Sequence, residues 1–277
     1  MAARLTLRHI ALPAAMLLFI ALASALASVL TSADPMAVAP AQANEPPTPE
    51  HLFGTDQFGR DVWSRTLWGG QRTLTVALVG TLIAIVPGLL IGLAAGYWGG
   101  YLDRALMGAA DVLLAFPNLL LAMALVALLG YGTHQIALAV GLAGFPAYAR
   151  VARAAALEVR GTPYVEAARA VGAGRGRIIA RHILPNIGAT LVAFGAVTFS
   201  WSLLNAAALN FLGLGGSIST PDWGIMLADA RQAFRVAPWA GAAPGLAITL
   251  TVLAANALAE GWQRATQVGA GGRACPQ

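Results

Sequence analysis

Five stretches of the chain carry no formal charge, with His taken as neutral: residues 9–33, 73–102, 112–149, 182–221 and 236–259. A helix needs about 20 apolar residues to cross the hydrocarbon core of a bilayer, and each stretch is long enough. The third is too long for one crossing. It is interrupted by Gly130-Tyr131-Gly132-Thr133-His134-Gln135, a polar, glycine-containing turn that hydrocarbon accommodates badly. Read as two crossings, it brings the total to six, and the pattern predicts an all-α polytopic membrane protein.

The segments between the runs have their own patterns. Residues 34–71 begin proline-rich (Pro35, Pro40, Pro46, Pro47, Pro49), which disfavours regular helix. Residues 61–72 then suit a short surface helix leading into the second crossing. In that crossing Gly80, Gly88, Gly92 and Gly96 recur every four or eight positions. Such spacing suits close helix packing in lipid; lining a pathway is the functional alternative. Near the far end, Trp223, Met226, Leu227, Ala230 and Phe234 fall at helical spacing opposite Asp222, Asp229, Gln232 and Arg235. That pattern predicts a helix lying along the membrane surface as an anchor, the alternative being a lid over substrate. Trp239 follows where an aromatic belt is expected.

Composition agrees with a lipid solvent: 58% of the 277 residues are hydrophobic, 10% are charged, and the mean hydropathy is +0.69. The chain has no lysine, so its 17 basic residues are all arginine. With the N-terminus in the cytoplasm, 12 of them fall inside and 5 outside, which satisfies the positive-inside rule. Residues 150–181 hold seven Arg against Glu158 and Glu166, a net +5 that equals the charge of the whole chain. The basicity therefore belongs to one cytoplasmic loop and does not indicate a nucleic-acid partner. A lone Cys275 rules out a disulfide within the chain. Arg4 and Arg8 before an apolar stretch, with Ala41-Gln42-Ala43 beyond it, resemble a signal peptide, but the stretch is long enough to span and the small residues lie well past its end.

The loop of residues 150–185 is the most informative segment. Thr162-Pro163 can start a helix, with Thr as N-cap and Pro in the first turn, and Glu166 near that end favours the helix dipole. Gly172-Ala173-Gly174 then breaks it, and a second basic helix, 175–182, runs to Pro185 and the fifth crossing. Such a helix-turn-helix could dock in a groove on another protein and convert that partner's movement into movement of the spans. Charge alone favours the plainer reading, a solvated loop near anionic lipid.

These residues resemble a known family. Glu166-Ala167-Ala168, three residues, Gly172, then Leu184-Pro185 is similar to the EAA loop of ABC-importer permeases. His182-Ile183-Leu184-Pro185-Asn186 looks like the peptide and nickel branch. Gly54-Thr55-Asp56-Gln57-Phe58-Gly59-Arg60-Asp61-Val62-Trp63-Ser64-Arg65 resembles the segment after the first crossing in the second of that branch's two permeases. Phe211-Leu212-Gly213-Leu214-Gly215, Trp223-Gly224 and Pro244-Gly245-Leu246-Ala247-Ile248 follow in the expected order. Two positions depart from the branch: Ala206 stands where it usually has glutamate, and Glu260-Gly261-Trp262-Gln263-Arg264 replaces its usual ending.

The resemblance implies a six-span permease of the type I importer (MetI-like) fold in the inner membrane of a bacterium or archaeon, both termini cytoplasmic. Residues 1–32 would hold the N-terminal end and first helix, 33–72 the external segment, 73–262 the permease core and 263–277 a cytoplasmic tail. It implies a homologous permease, two ATPase subunits and an external substrate-binding protein as partners. Glu166, Ala167, Ala168 and Gly172 would couple to an ATPase, while His182, Leu184, Pro185 and Asn186 would set the loop's exit into the fifth span. ATP and magnesium would sit on the partner subunits and no cofactor on this chain. The residues agree: without lysine there is no phosphate loop ending in Gly-Lys-Ser/Thr. Peptides are the first substrate class and nickel or a metal chelate the second.

Two rivals fare worse. A membrane enzyme lacks support, because His9, His51, His134 and His182 are scattered and neither His-Glu-x-x-His nor Gly-x-Ser-x-Gly occurs. An ion-coupled secondary transporter needs ionisable groups near the midplane. Here Asp111 lies only near the start of a span, and Asn118, Asn205, Asn210 and Asn256 are neutral and read as interhelical hydrogen bonders.

Overall fold

The computed structural model describes residues 2–216 and 220–271; Cys275 and Arg273 lie outside them. Among the described residues all long regular elements are helices, and the only strand-like pairing is an antiparallel bridge between Thr55 and Asp61. The helices are α1 (Ala2–Ala25), α2 (Ala27–Leu30), α3 (Val62–Trp98), α4 (Gly100–Leu114), α5 (Asn118–Leu129), α6 (Thr133–Arg160), α7 (Pro163–Ala170), α8 (Arg175–Ile178), α9 (Leu184–Phe211), α10 (Trp223–Ala233) and α11 (Pro238–Gly271). A π turn over Ile179–Ile183 joins α8 to α9, so Arg175–Phe211 forms one rod.

Among the described residues four helices are long and apolar enough to cross a membrane: α3, α6, the α8–α9 rod and α11. The third run of the sequence does not give a straight span. Pro117 lacks an N–H and pushes the residue before it out of helical geometry, so the chain breaks near the start of this run, between α4 and α5, which are bent by 90°. The 12 residues of α5 rise only about 18 Å. The pair counts as a fifth crossing if it is one broken span. In α1 the apolar stretch is the shorter Ile10–Ala25.

Two further expectations are corrected. Residues 62–72 do not form a separate surface helix: Asp61 caps the start of α3 by accepting from Ser64 N at 2.7 Å, and the helix then runs unbroken to Trp98. Nor does α10 lie on lipid. Trp223, Met226 and Ala230 are buried against α3, α9 and α11, while Phe234 is exposed. The apolar stripe was read correctly, but its partner is the bundle.

The centre of the bundle is the packing of α3 on α6, and the glycine row of α3 explains it. A Cβ on Gly88 would lie 2.9 Å from Phe145 O, one on Gly92 2.6 Å from Ala152 Cβ, and one on Gly96 2.9 Å from Ala156 Cβ. Without side chains there, the two backbones meet directly, the contact that drives helix association where lipid offers no hydrophobic gain. Around this pair the core divides. Leu93, Tyr97, Tyr148, Ile187 and Leu191 fill the end that carries α7. Val62, Leu203, Trp223 and Met226 fill the end that carries residues 31–61.

Candidate functional site: the loop between α6 and α9

α6 ends at Gly161 and the chain turns into α7 with Pro163 at its first turn, where a missing N–H costs nothing. Thr162 occupies the N-cap position but does not cap. Its Oγ1 donates to Val159 O at 2.6 Å, closing the turn behind it. At the other end, Gly172 N donates to Arg169 O and Ala173 N to Ala168 O, both at 3.1 Å. This pair of bonds is a Schellman cap, which needs a left-handed residue at Gly172; its φ is +82°. The glycine of the motif is thus required by the local end of α7.

What seats α7 was not singled out in the sequence. Val165 is fully buried and packs with Ile178 and Ile183 against Tyr97, Tyr148 and Ile187, the ends of α3, α6 and α9. These apolar residues inside a basic loop were the available signal. With Val165 facing inward, Tyr164, Ala167, Ala168 and Val171 form the opposite stripe at i, i+3, i+4 and i+7. Tyr164, Ala167 and Val171 are exposed, Val171 to 85%, and Ala168 is half-buried. Glu166 is exposed beside them, as are Arg169, Arg175, Arg177 and Arg181, and among the described residues none of these five makes an ion pair.

The second group of predicted residues sits where the rod begins. The π turn precedes Pro185, and its wider winding takes up a position where an α-helical donor is missing. Asn186 Nδ2 donates to His182 O at 2.6 Å. The His182 ring lies 6.3 Å from that of Tyr164, which brings the exit of the loop next to the start of α7. Leu184 and Pro185 are exposed on the same junction. Arg160 Nη1 donates to Gly96 O at 3.2 Å, tying the end of α6 to that of α3. Asp111 receives Arg150 at 2.5 Å, and Arg153 is bidentate to Asp103, so α4 is clasped to α6 just before the loop.

At the opposite end the segment Gly54 to Arg65 makes a compact knot. Thr55 Oγ1 donates to Gln42 O and accepts from Glu45 N, and Trp239 Nε1 donates to Thr55 O at 3.0 Å. Arg60 pairs with Asp56 and, through its other nitrogen, with Asp229 of α10, both at 2.6 Å. Arg65 lies 3.8 Å and 3.9 Å from the same two carboxylates. Asp229, which the helical spacing puts opposite the apolar stripe of α10, is the far half of a buried clip. Asp222 beside it is fully buried, and burial pushes its carboxyl up, against bonds from Thr73 Oγ1 at 2.9 Å and Gly224 N at 2.8 Å that favour the charged form.

Residues 88–267 match the family described as binding-protein-dependent transport system inner membrane component. The chain belongs to this family. It is 39% identical to the dipeptide transport system permease DppC of Alkalihalophilus pseudofirmus over 85% of its own length and 77% of the relative's. It is 42% identical to the glutathione transport system permease GsiD of Pectobacterium atrosepticum over 79% and 72% of the two chains. A putative peptide transport system permease of Brucella suis is 41% identical over 89% and 83%. Among solved structures, an inward-facing form of the methionine ABC transporter MetNI aligns with a TM-score of 0.60 at 20% identity, covering 72% of this chain and 96% of that one. The fold is therefore MetI-like, and the protein is an ABC-importer permease, a non-enzymatic inner-membrane subunit whose ATPase activity resides in separate subunits.

Proposed function

We propose that this permease forms half of the pathway of an importer for dipeptides or short peptides, and that α7 seats in a groove of an ATPase subunit. The observation that carries the coupling role is the shape of α7: one face locked into the bundle by Val165, the other presenting exposed Tyr164, Ala167 and Val171 beside Glu166. An apolar stripe at the tip of a basic loop has no reason to face water, whereas a partner's groove would cover it. Because α7 is continuous in packing with α3, α6 and α9, a displacement of its outer face moves three helices together. Glu166, Ala167, Ala168 and Gly172 belong to the contact, and His182, Leu184, Pro185 and Asn186 to the hinge behind it.

The α7 end is then cytoplasmic, the segment 31–61 external, and the chain crosses six times with both termini inside. The partners are a homologous permease, two ATPases carrying ATP and magnesium, and an external binding protein. Peptides take precedence over nickel or metal chelates because the relatives above are named for dipeptide, glutathione and peptide transport.

The test is a crosslink. With Cys275 replaced by Ser, Ala168→Cys in the co-expressed importer should crosslink to an ATPase subunit in a nucleotide-sensitive way, and Ala242→Cys should not. An assembled complex that gives no such crosslink removes α7 from the coupling role.

A further inference from the structure

The exposed faces of the long helices are not alike. On α3 the exposed row is Leu78, Val79, Leu82, Val86 and Leu90, and on α11 it includes Leu246, Leu250 and Leu253. These aliphatic rows suit hydrocarbon. The side formed by α5, α6 and α9 also exposes aliphatic residues, Leu142, Val192 and Leu204 among them, but it holds in addition a cavity of roughly 280 Å³ walled by Asn118, Thr198, Trp201, Ser202 and Asn205 among apolar neighbours. Thr198 sits midway along α9 and Asn205 about three-quarters of the way, and the α6 wall is near the centre of its helix. Polar groups set into the wall of a largely apolar hollow at this depth are costly against lipid, where each unpaired one loses its water.

Its hydrogen-bonding groups are left open in a particular way. Asn118 Nδ2 donates to Ala143 O and Asn205 Nδ2 to Trp201 O, which leaves both Oδ1 atoms as free acceptors. Ser202 is 3% exposed and its hydroxyl has no partner among the described residues. The break between α4 and α5 lies in the same wall, since Leu114 and Asn118 flank it. α5 starts there without a side-chain cap, its first intrahelical bond being Leu121 N to Pro117 O, so the N–H groups before it, that of Asn118 in the wall among them, have no partner within the helix. Non-helical backbone at membrane depth is tolerated where it lines a watered cavity. Two amide acceptors, a hydroxyl and the backbone N–H of Asn118, with Trp201 exposed to 64% as an apolar plate and no ionisable side chain in the lining, complement one thing well. That is the main chain of an extended peptide, whose amides alternate donor and acceptor.

We infer that this hollow is the subunit's share of the translocation pathway, and that Asn118, Ser202 and Asn205 hold the peptide backbone as it passes while the neutral walls leave its side-chain charge unread. The inference rests on the proposed peptide import. The complete importer, with Cys275 replaced by Ser, is tested with Ser202→Cys and Trp201→Cys. Both cysteines should react with a membrane-impermeant methanethiosulfonate from the open side, and a transported dipeptide should slow that reaction several-fold. Reaction only with a lipid-soluble maleimide, or with neither reagent, would place the hollow against lipid or in a closed contact and overturn the inference. Asn205→Leu should cut dipeptide uptake by about tenfold, the effect of one hydrogen-bond acceptor lost, and the loss should be shared by acidic, basic and neutral dipeptides. Uptake unchanged in Asn205→Leu while the unmodified importer transports would defeat the site alone. An unmodified importer that moves no peptide would instead defeat the function it rests on.

Discussion

Gly172 shows how a motif residue can be fixed by its own turn. A Cβ there would meet nothing within 4 Å, so the only obstacle is the left-handed backbone. Gly172→Ala should cost about 1 kcal/mol and Gly172→Asn less, measured as thermal stability of the isolated subunit in detergent. An Asn variant worse than Ala would show that space matters there more than φ. Val165→Ala removes two buried methyl groups from the anchor of α7, about 1.6 kcal/mol, and should weaken ATPase docking though it touches no exposed surface. Asp222 gives a pH signature. Its carboxyl is raised by burial, so the folded chain holds the proton more tightly than the unfolded one. The sign follows: its contribution is fully present below about pH 4 and declines as pH rises through the folded value. Asp222→Asn keeps the shape without the charge, so its stability relative to the parent should rise with pH; a difference that stays flat from pH 4 to 8 would be evidence against the raised carboxyl.

At the scale of elements, the α3–α6 contact depends on missing side chains. Gly92→Val should cost about 1–3 kcal/mol through overpacking, whereas Gly108→Val on α4, with open space at its Cβ, should be tolerated. Thermal denaturation of the two variants side by side separates packing from helix propensity. The glycine row was legible in the sequence because a four-residue period in an apolar run has a direct geometric meaning. The runs at α3, α6, α9 and α11 were legible for the same reason. The α4–α5 break was not, because charge counting passes over Pro117 in a stretch that is apolar on both sides. α10 was misplaced because an amphipathic stripe says that one face is covered without saying by what. Of the loop, α7 and its glycine stop were readable from Thr162-Pro163 and Gly172, but the seat beneath it was not. Val165, Ile178 and Ile183 are isolated apolar residues until the fold brings them together.

At the scale of the molecule, charge is unevenly placed. At the α7 end, Arg169, Arg175, Arg177 and Arg181 stand exposed without acidic neighbours in contact. Such charges steer association and are screened over about 10 Å at 0.1 M salt. Neutralising Arg175 and Arg177 together should slow ATPase association several-fold at low ionic strength and hardly at all in 0.5 M salt, as read by stopped-flow fluorescence. At the other end, opposite charges are spent in a closed, buried set. Arg60 and Asp229 are 169 residues apart, so the clip cannot form when its first half is made. At synthesis rates of 5–20 residues per second, roughly ten to thirty seconds pass before its second half emerges. During that interval Arg60 and Arg65 have only Asp56 of the clip's two carboxylates, since Asp61 is taken up with Ser64 N and His51. The last helices thus act as the seal on a segment translated near the beginning, and truncating the chain before α10 should leave that segment open to protease even though every residue of it has been made.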